Sequence, residues 1–129
     1  MKQGPVQMTE AEIHDFGVEV VFGYLKSEGH EIIAVNSNPS LNPQIVARKN
    51  EQLEFVVVRT ACYPGKGTLD ATSKANSIAH AEKSGAICFF ASVGIANASG
   101  TTDAEMAIPV KGAGYHVAFN GIEILHGAH

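Results

Sequence analysis

Residues 43–60 read PQIVARKNEQLEFVVVRT, and the fold turns on how this stretch is read. QIVAR (44–48) and LEFVVVRT (53–60) are both rich in β-branched and aromatic residues. The polar KNEQ between them is a hairpin turn, so the spacing predicts two antiparallel strands. Phe55-Val56-Val57-Val58 has no polar alternation. A strand with one wet face alternates, so this run predicts burial on both faces in the middle of a sheet. The run ends on Arg59, a permanent cation at the end of a buried strand.

Working outward, TEAE (9–12) has the form of a capping box, with Thr9 accepting from the backbone three residues on and Glu12 reaching back. Ile13, Phe16, Val20, Val21, Tyr24 and Leu25 follow at helical spacing and Gly29 stops the run, predicting a helix over about 10–28. EIIAVNS (31–37) reads as a strand and NPSLNP as a turn-prone connection. Beyond the hairpin, ACYPGKGTLD is a loop, Asp70 to Ser84 a helix with Ala71, Ala75 and Ala79 on one side, and AICFFASVGIA (86–96) a second buried strand. NASGTTDAE is loop, and GYHVAF and IEIL are strands joined at Asn120-Gly121, the strongest two-residue turn signal in the chain. The expected fold is an α/β single domain over 9–129, preceded by a loose arm over 1–8. Its order is α-β-β-β-α-β plus a C-terminal β-hairpin, and the strand-helix-strand step implies a mixed sheet with at least one parallel pair.

Composition narrows the function classes. The 129 residues carry 9 basic and 13 acidic side chains, a net charge of −4. Duplex-DNA binders usually present a basic footprint, so protein or small-ligand partners are favoured over nucleic acid. No apolar run reaches the roughly 20 residues of a membrane helix. The first ten residues have one lysine and no apolar stretch, so no secretory leader is expected there. Cys62 and Cys88 form no C-x-x-C, and the six histidines show no zinc spacing. A reduced, cytoplasmic setting without metal or cofactor is the expectation. Small residues in ASVGIANASG and PVKGAGYH suggest a ligand cleft or a packed subunit interface.

The element order, with YLKSEGHEIIAVN (24–36) and QIVARKNEQLEFVVVRT (44–60), resembles the restriction-endonuclease-like superfamily, in particular its small bacterial Holliday-junction-resolvase-like branch. The similarity covers about residues 13–62. It implies a site for metal-assisted phosphodiester hydrolysis, with a Pro-Asp on the second strand, a Glu-x-Lys on the third and often a glutamate on the first helix. Laid on this chain, the aspartate position holds Gln44 after Pro43, the glutamate position Val57 and the lysine position Arg59. The helical glutamate position falls on Val18, with Glu19 next to it. Magnesium demands anionic oxygen ligands, and these positions offer none.

The resemblance therefore implies a nuclease-like domain with a remnant site at Glu19, Gln44, Val57 and Arg59. We read it as a non-catalytic binding or assembly module, homo-oligomeric through an exposed strand edge or the C-terminal hairpin. Two alternatives stand beside it. One is a divergent nuclease with migrated ligands, Glu19 with Glu51 or Asp70. The other is an anion- or nucleotide-binding protein using Arg59 with Lys66, Gly67 and Thr68 of the YPGKGT loop just before a helix.

Overall fold

In the computed structural model, which describes residues 6–38, 40–111 and 114–126, the chain folds as a mixed α/β domain. The elements are α1 (Glu10–Ser27), β1 (Glu31–Val35), β2 (Ile45–Lys49), β3 (Gln52–Cys62), α2 (Ala71–Lys83), β4 (Ile87–Asn97), α3 (Asp103–Met106), β5 (Tyr115–Ala118) and β6 (Ile122–Ile124). The sheet has six strands, with β1-β2-β3-β4-β5 in space and β6 also on β4. Only β3 and β4 run parallel; the other pairs are antiparallel. The expected α/β class and α-β-β-β-α-β order are present. The short α3 is an addition, lying in a segment expected to be loop.

Local chemistry explains the boundaries. Thr9 and Glu12 form the capping box of α1, and Asp70 caps α2 by accepting from the Ser73 amide. Asn50 and Glu51, both at positive φ (51° and 67°), make the two-residue turn between β2 and β3. β3 is a central strand, and Val56, Val57 and Val58 are fully buried. Strand parity sends alternate residues to opposite faces. Val56 and Val58 pack with Ile45, Ala47 and the α1 residues Val18, Val21 and Leu25. Phe55 and Val57 pack with Ile78 and Ala81 of α2 and with Cys88 and Phe90. One helix thus covers each face of the sheet. Each of the valine, leucine, isoleucine and phenylalanine side chains among them contributes about 1.5–3 kcal/mol by leaving water.

The C-terminal strands occupy their expected places, but Asn120-Gly121 does not reverse the chain. β5 pairs Ala118 with Gly94, and β6 pairs Ile122 with Ala91. Both strands therefore follow one another down the edge of β4 that β3 leaves free. Four steps on the outer strand match three on β4, so the Asn-Gly break is a one-residue bulge. Phe119 at the break turns inward to pack edge-on against Tyr24, 5.1 Å between ring centroids.

The expected loose arm is also partly fixed. Gln7 bridges Val110, and Met8 and Lys111 exchange backbone bonds with Pro109 and Val6. Residues 1–5 of that arm lie outside the described residues.

Candidate functional site

The register of β2 on β3 sets Gln44 opposite Val57, one step beyond the Ile45–Val56 pair. Gln44, Val57 and Arg59 accordingly meet on the face of the sheet that carries α2. Gln44 is 1% exposed, a buried polar residue. Its Oε1 accepts from the Val58 amide at 2.8 Å and from Arg59 Nη1 at 3.4 Å. Its Nε2 donates to Asn42 Oδ1 at 2.9 Å and to the Asn38 carbonyl at 3.2 Å. Both ends of the carboxamide are occupied. Arg59 Nη1 also donates to Asn42 Oδ1 at 3.1 Å and to its own neighbour's carbonyl, Val58 O, at 2.9 Å. Gln44 and Arg59, with Asn42, thus form a strut that ties the loop before β2 to the end of β3, while Val57 only packs beside them.

The other expected site residues do not join them. Glu19 is exposed on the outer side of α1, beside Met8, Glu12, Asp15, Phe16, Lys111 and Tyr115. Glu51 lies in the β2–β3 turn, at the opposite end of β3 from Arg59 and about 25 Å away along the strand. Asp70 is the cap of α2, and its bonds to Ser73 hold its carboxyl below the ordinary range, with the Arg59 charge a lesser cause. Glu19, Glu51 and Asp70 therefore cannot share a metal. No group of three or more His, Cys, Asp or Glu close enough to hold a metal occurs among the described residues. Glu54 points to the face opposite Val57, as its parity predicts. There it is buried and paired with His30 Nδ1 at 2.5 Å, a partnership that sequence spacing did not reveal.

The expected anion site over Arg59, Lys66, Gly67 and Thr68 is not assembled either. Gly67 donates its amide to the Val93 carbonyl, and Gly65 donates to Cys62, so these groups serve the loop's own fold. Gly67 is glycine because of close approach: a Cβ there would stand 1.9 Å from the Arg59 carbonyl oxygen. Lys66 lies over β4, lining a slot with Phe90, Ser92 and residues 120–123, while the Arg59 guanidinium turns toward Asn42. Thr68 is exposed.

What sequence reading missed lies around the strut. β3 continues to Cys62 beyond its pairing with β2. There, with the start of α1, it bounds a cavity of about 350 Å³ lined by Glu10, Ile13, His14, Arg59, Thr60, Ala61 and Cys62. His14 is 8% exposed and its Nε2 has no hydrogen-bond partner among the described residues. The Thr60 hydroxyl is likewise buried and unpartnered, seated in the notch left by Gly17, where a Cβ would lie 1.7 Å from it. Burial holds the His14 imidazole below the usual histidine range; the Arg59 charge adds to this and Asp15 opposes it. Burial also lowers Arg59, against the pull of Asp70. Burial raises the Cys62 thiol above the ordinary cysteine range. His14 stands at i, i+4, i+7, i+11 with Val18, Val21 and Leu25, the stripe that α1 buries, and a period-3.6 reading of that stripe could have flagged it.

A family model described as Domain of unknown function (DUF8840) matches residues 11–125. The chain belongs to that family. No curated protein and no solved structure matches it. Nearly all of the cavity, and the whole strut, falls within the DUF8840 match; Glu10 lies one residue before it.

A larger cavity of about 440 Å³ lies on the α2 face of the sheet, floored by Gly94, Ala96 and Ala118 and bordered by Tyr63, Met106 and His116. It draws on both small-residue stretches noted in the sequence. Its walls are mostly apolar, and the Tyr63 hydroxyl is engaged by Asp103 at 3.1 Å. None of the buried unpartnered side-chain atoms among the described residues belongs to its lining. Two of the three such atoms, His14 Nε2 and the Thr60 hydroxyl, belong to residues lining the smaller cavity; the third, Ser77 Oγ, lies on α2.

Proposed function

We propose that this DUF8840 domain is a non-catalytic binding module on a restriction-endonuclease-like scaffold. One observation carries the reading: the residue at the expected metal-ligand position, Gln44, is buried with both ends of its carboxamide bonded inside the protein. A metal ligand must keep a free oxygen facing the ion, and Val57 beside it has no donor atom. The convergence of Gln44, Val57 and Arg59 at one end of the sheet supports the scaffold resemblance. Assembly along the sheet edges is a further part of the reading, supported by Ile33 and Val35 on β1 and Val117 and Ile124 on β5 and β6, all between 43% and 50% exposed.

The test is calorimetric titration with magnesium and manganese, with and without branched DNA, followed by a cleavage assay on the same DNA. The expected result is no stoichiometric metal heat and no cleavage. Tight one-to-one metal binding with manganese-dependent cleavage that Glu19→Ala abolishes would overturn the reading in favour of a divergent nuclease.

A further inference from the structure

We infer that the cavity between the start of α1 and the end of β3 is a binding site for a small monocarboxylate with a short apolar tail, anchored by Arg59 and His14. The inference rests on the binding-module reading and names its ligand class.

Arg59 is half-buried, yet no carboxylate lies within ion-pair distance of it among the described residues. Charges removed from water are ordinarily paired. All of its protein hydrogen bonds leave from Nη1. Nη2 and Nε donate to nothing among the described residues, and together they form the planar fork that matches a carboxylate. His14 stands in the same wall, with its Nε2 unpartnered. Buried polar atoms are rarely left so; a ligand carboxylate would give His14 Nε2 a partner and meet the free, partly solvent-reached fork of Arg59.

The remaining walls set the size and charge. Ile13, Ala61 and Cys62 offer an apolar surface for a tail, and about 350 Å³ suits a small molecule. One guanidinium compensates one negative charge. Glu10 at the same cavity adds a repulsion that a doubly charged phosphate would feel more strongly than a carboxylate.

The experiment is calorimetric titration of the full chain with sodium butyrate, butyramide and inorganic phosphate. Butyrate is expected to bind one-to-one, with butyramide and phosphate each at least about tenfold weaker. Arg59→Lys keeps the charge but loses the fork, and is expected to weaken butyrate about tenfold. His14→Leu fills the position with an apolar side chain and is expected to weaken butyrate by a similar factor while raising the melting temperature. Circular dichroism of each variant separates lost binding from lost fold. No butyrate heat up to about 10 mM with folded protein would overturn the assignment. Equal binding of butyrate and butyramide, tighter binding of phosphate, or butyrate binding unchanged in both variants would do so as well. Each of these outcomes is independent of the metal titration, so failure of this site and failure of the binding-module reading are distinguishable.

Discussion

The two faces of β3 near its C-terminal end treat polar groups in opposite ways. On the α2 face, Gln44 and Asn42 meet the Arg59 Nη1 group in a network where both ends of the buried carboxamide have partners. On the α1 face, a step along the strand, His14 Nε2 and the Thr60 hydroxyl are buried with none. A satisfied buried network fixes geometry, and each missing bond in it is costly. An unsatisfied buried group costs stability for as long as it stays so, and in a native structure it calls for a cause. The contrast separates the part of this region that holds the fold from the part that awaits a ligand. Arg59 belongs to both, with Nη1 in the strut and the residue itself in the cavity wall.

The sharpest way to break the comparison is to remove the strut. Gln44→Leu keeps volume but leaves the Val58 amide, the Asn42 carboxamide and Arg59 without their shared partner. The expected cost is about 3 kcal/mol, measured by urea denaturation. A loss below about 1 kcal/mol would mean that the network is incidental to stability.

On the opposite face the sign reverses. His14→Leu removes a buried polar atom that has no partner, so stability is expected to rise by about 1–2 kcal/mol. The pH dependence checks the cause. The folded-state value of His14 is depressed below its unfolded value of 6.5. The unfolded chain therefore binds more protons below that pH, and stability falls as pH drops from about 6.5 toward the lower folded-state value. Exposed Asp70 is also depressed, from 3.8, but its contribution is lost only in a lower window. The difference between wild type and His14→Leu should therefore widen on acidification through pH 6 and stay flat above pH 7. A difference independent of pH would locate the gain in packing rather than in the imidazole.

Much of the fold was legible because its signals are local. The apolar run at 55–58, the TEAE box and the Asp70 cap each depend on neighbours within a few residues. Gln44 and Arg59 were legible as a pair through resemblance to a known hairpin, and the register does bring them together. Three features were not legible, each for a physical reason. Asn120-Gly121 carries the chemistry of a reversal, but β4 runs on to Asn97 and offers a continuous edge, so pairing with β4 overrides the turn. Lys66 and Arg59 are close in sequence, but the loop after β3 packs Gly67, next to Lys66, against the Arg59 backbone, and the two side chains have different neighbours. The cavity joins residues 10–14 with 59–62, and nothing in either segment announces the other; only the docking of α1 on β3 unites them.

The smallest effect is the most discriminating. Thr60→Val replaces the unpartnered hydroxyl with a methyl group of nearly the same shape, seated in the notch that Gly17 leaves in α1. If the hydroxyl has no role, removing its desolvation cost should stabilise the fold by about 0.5–1 kcal/mol and leave butyrate affinity unchanged. If it rotates to meet a ligand, the same gain in stability should come with a loss of about threefold in affinity, since a neutral hydrogen bond is worth about 0.5–1.5 kcal/mol. Thermal unfolding with and without butyrate reads both quantities from one sample, because a ligand that binds only the folded state stabilises it by RT ln(1 + [L]/Kd). A loss of stability would place the hydroxyl in the fold itself, and the line drawn between the two faces of β3 would then run through Thr60 instead of beside it.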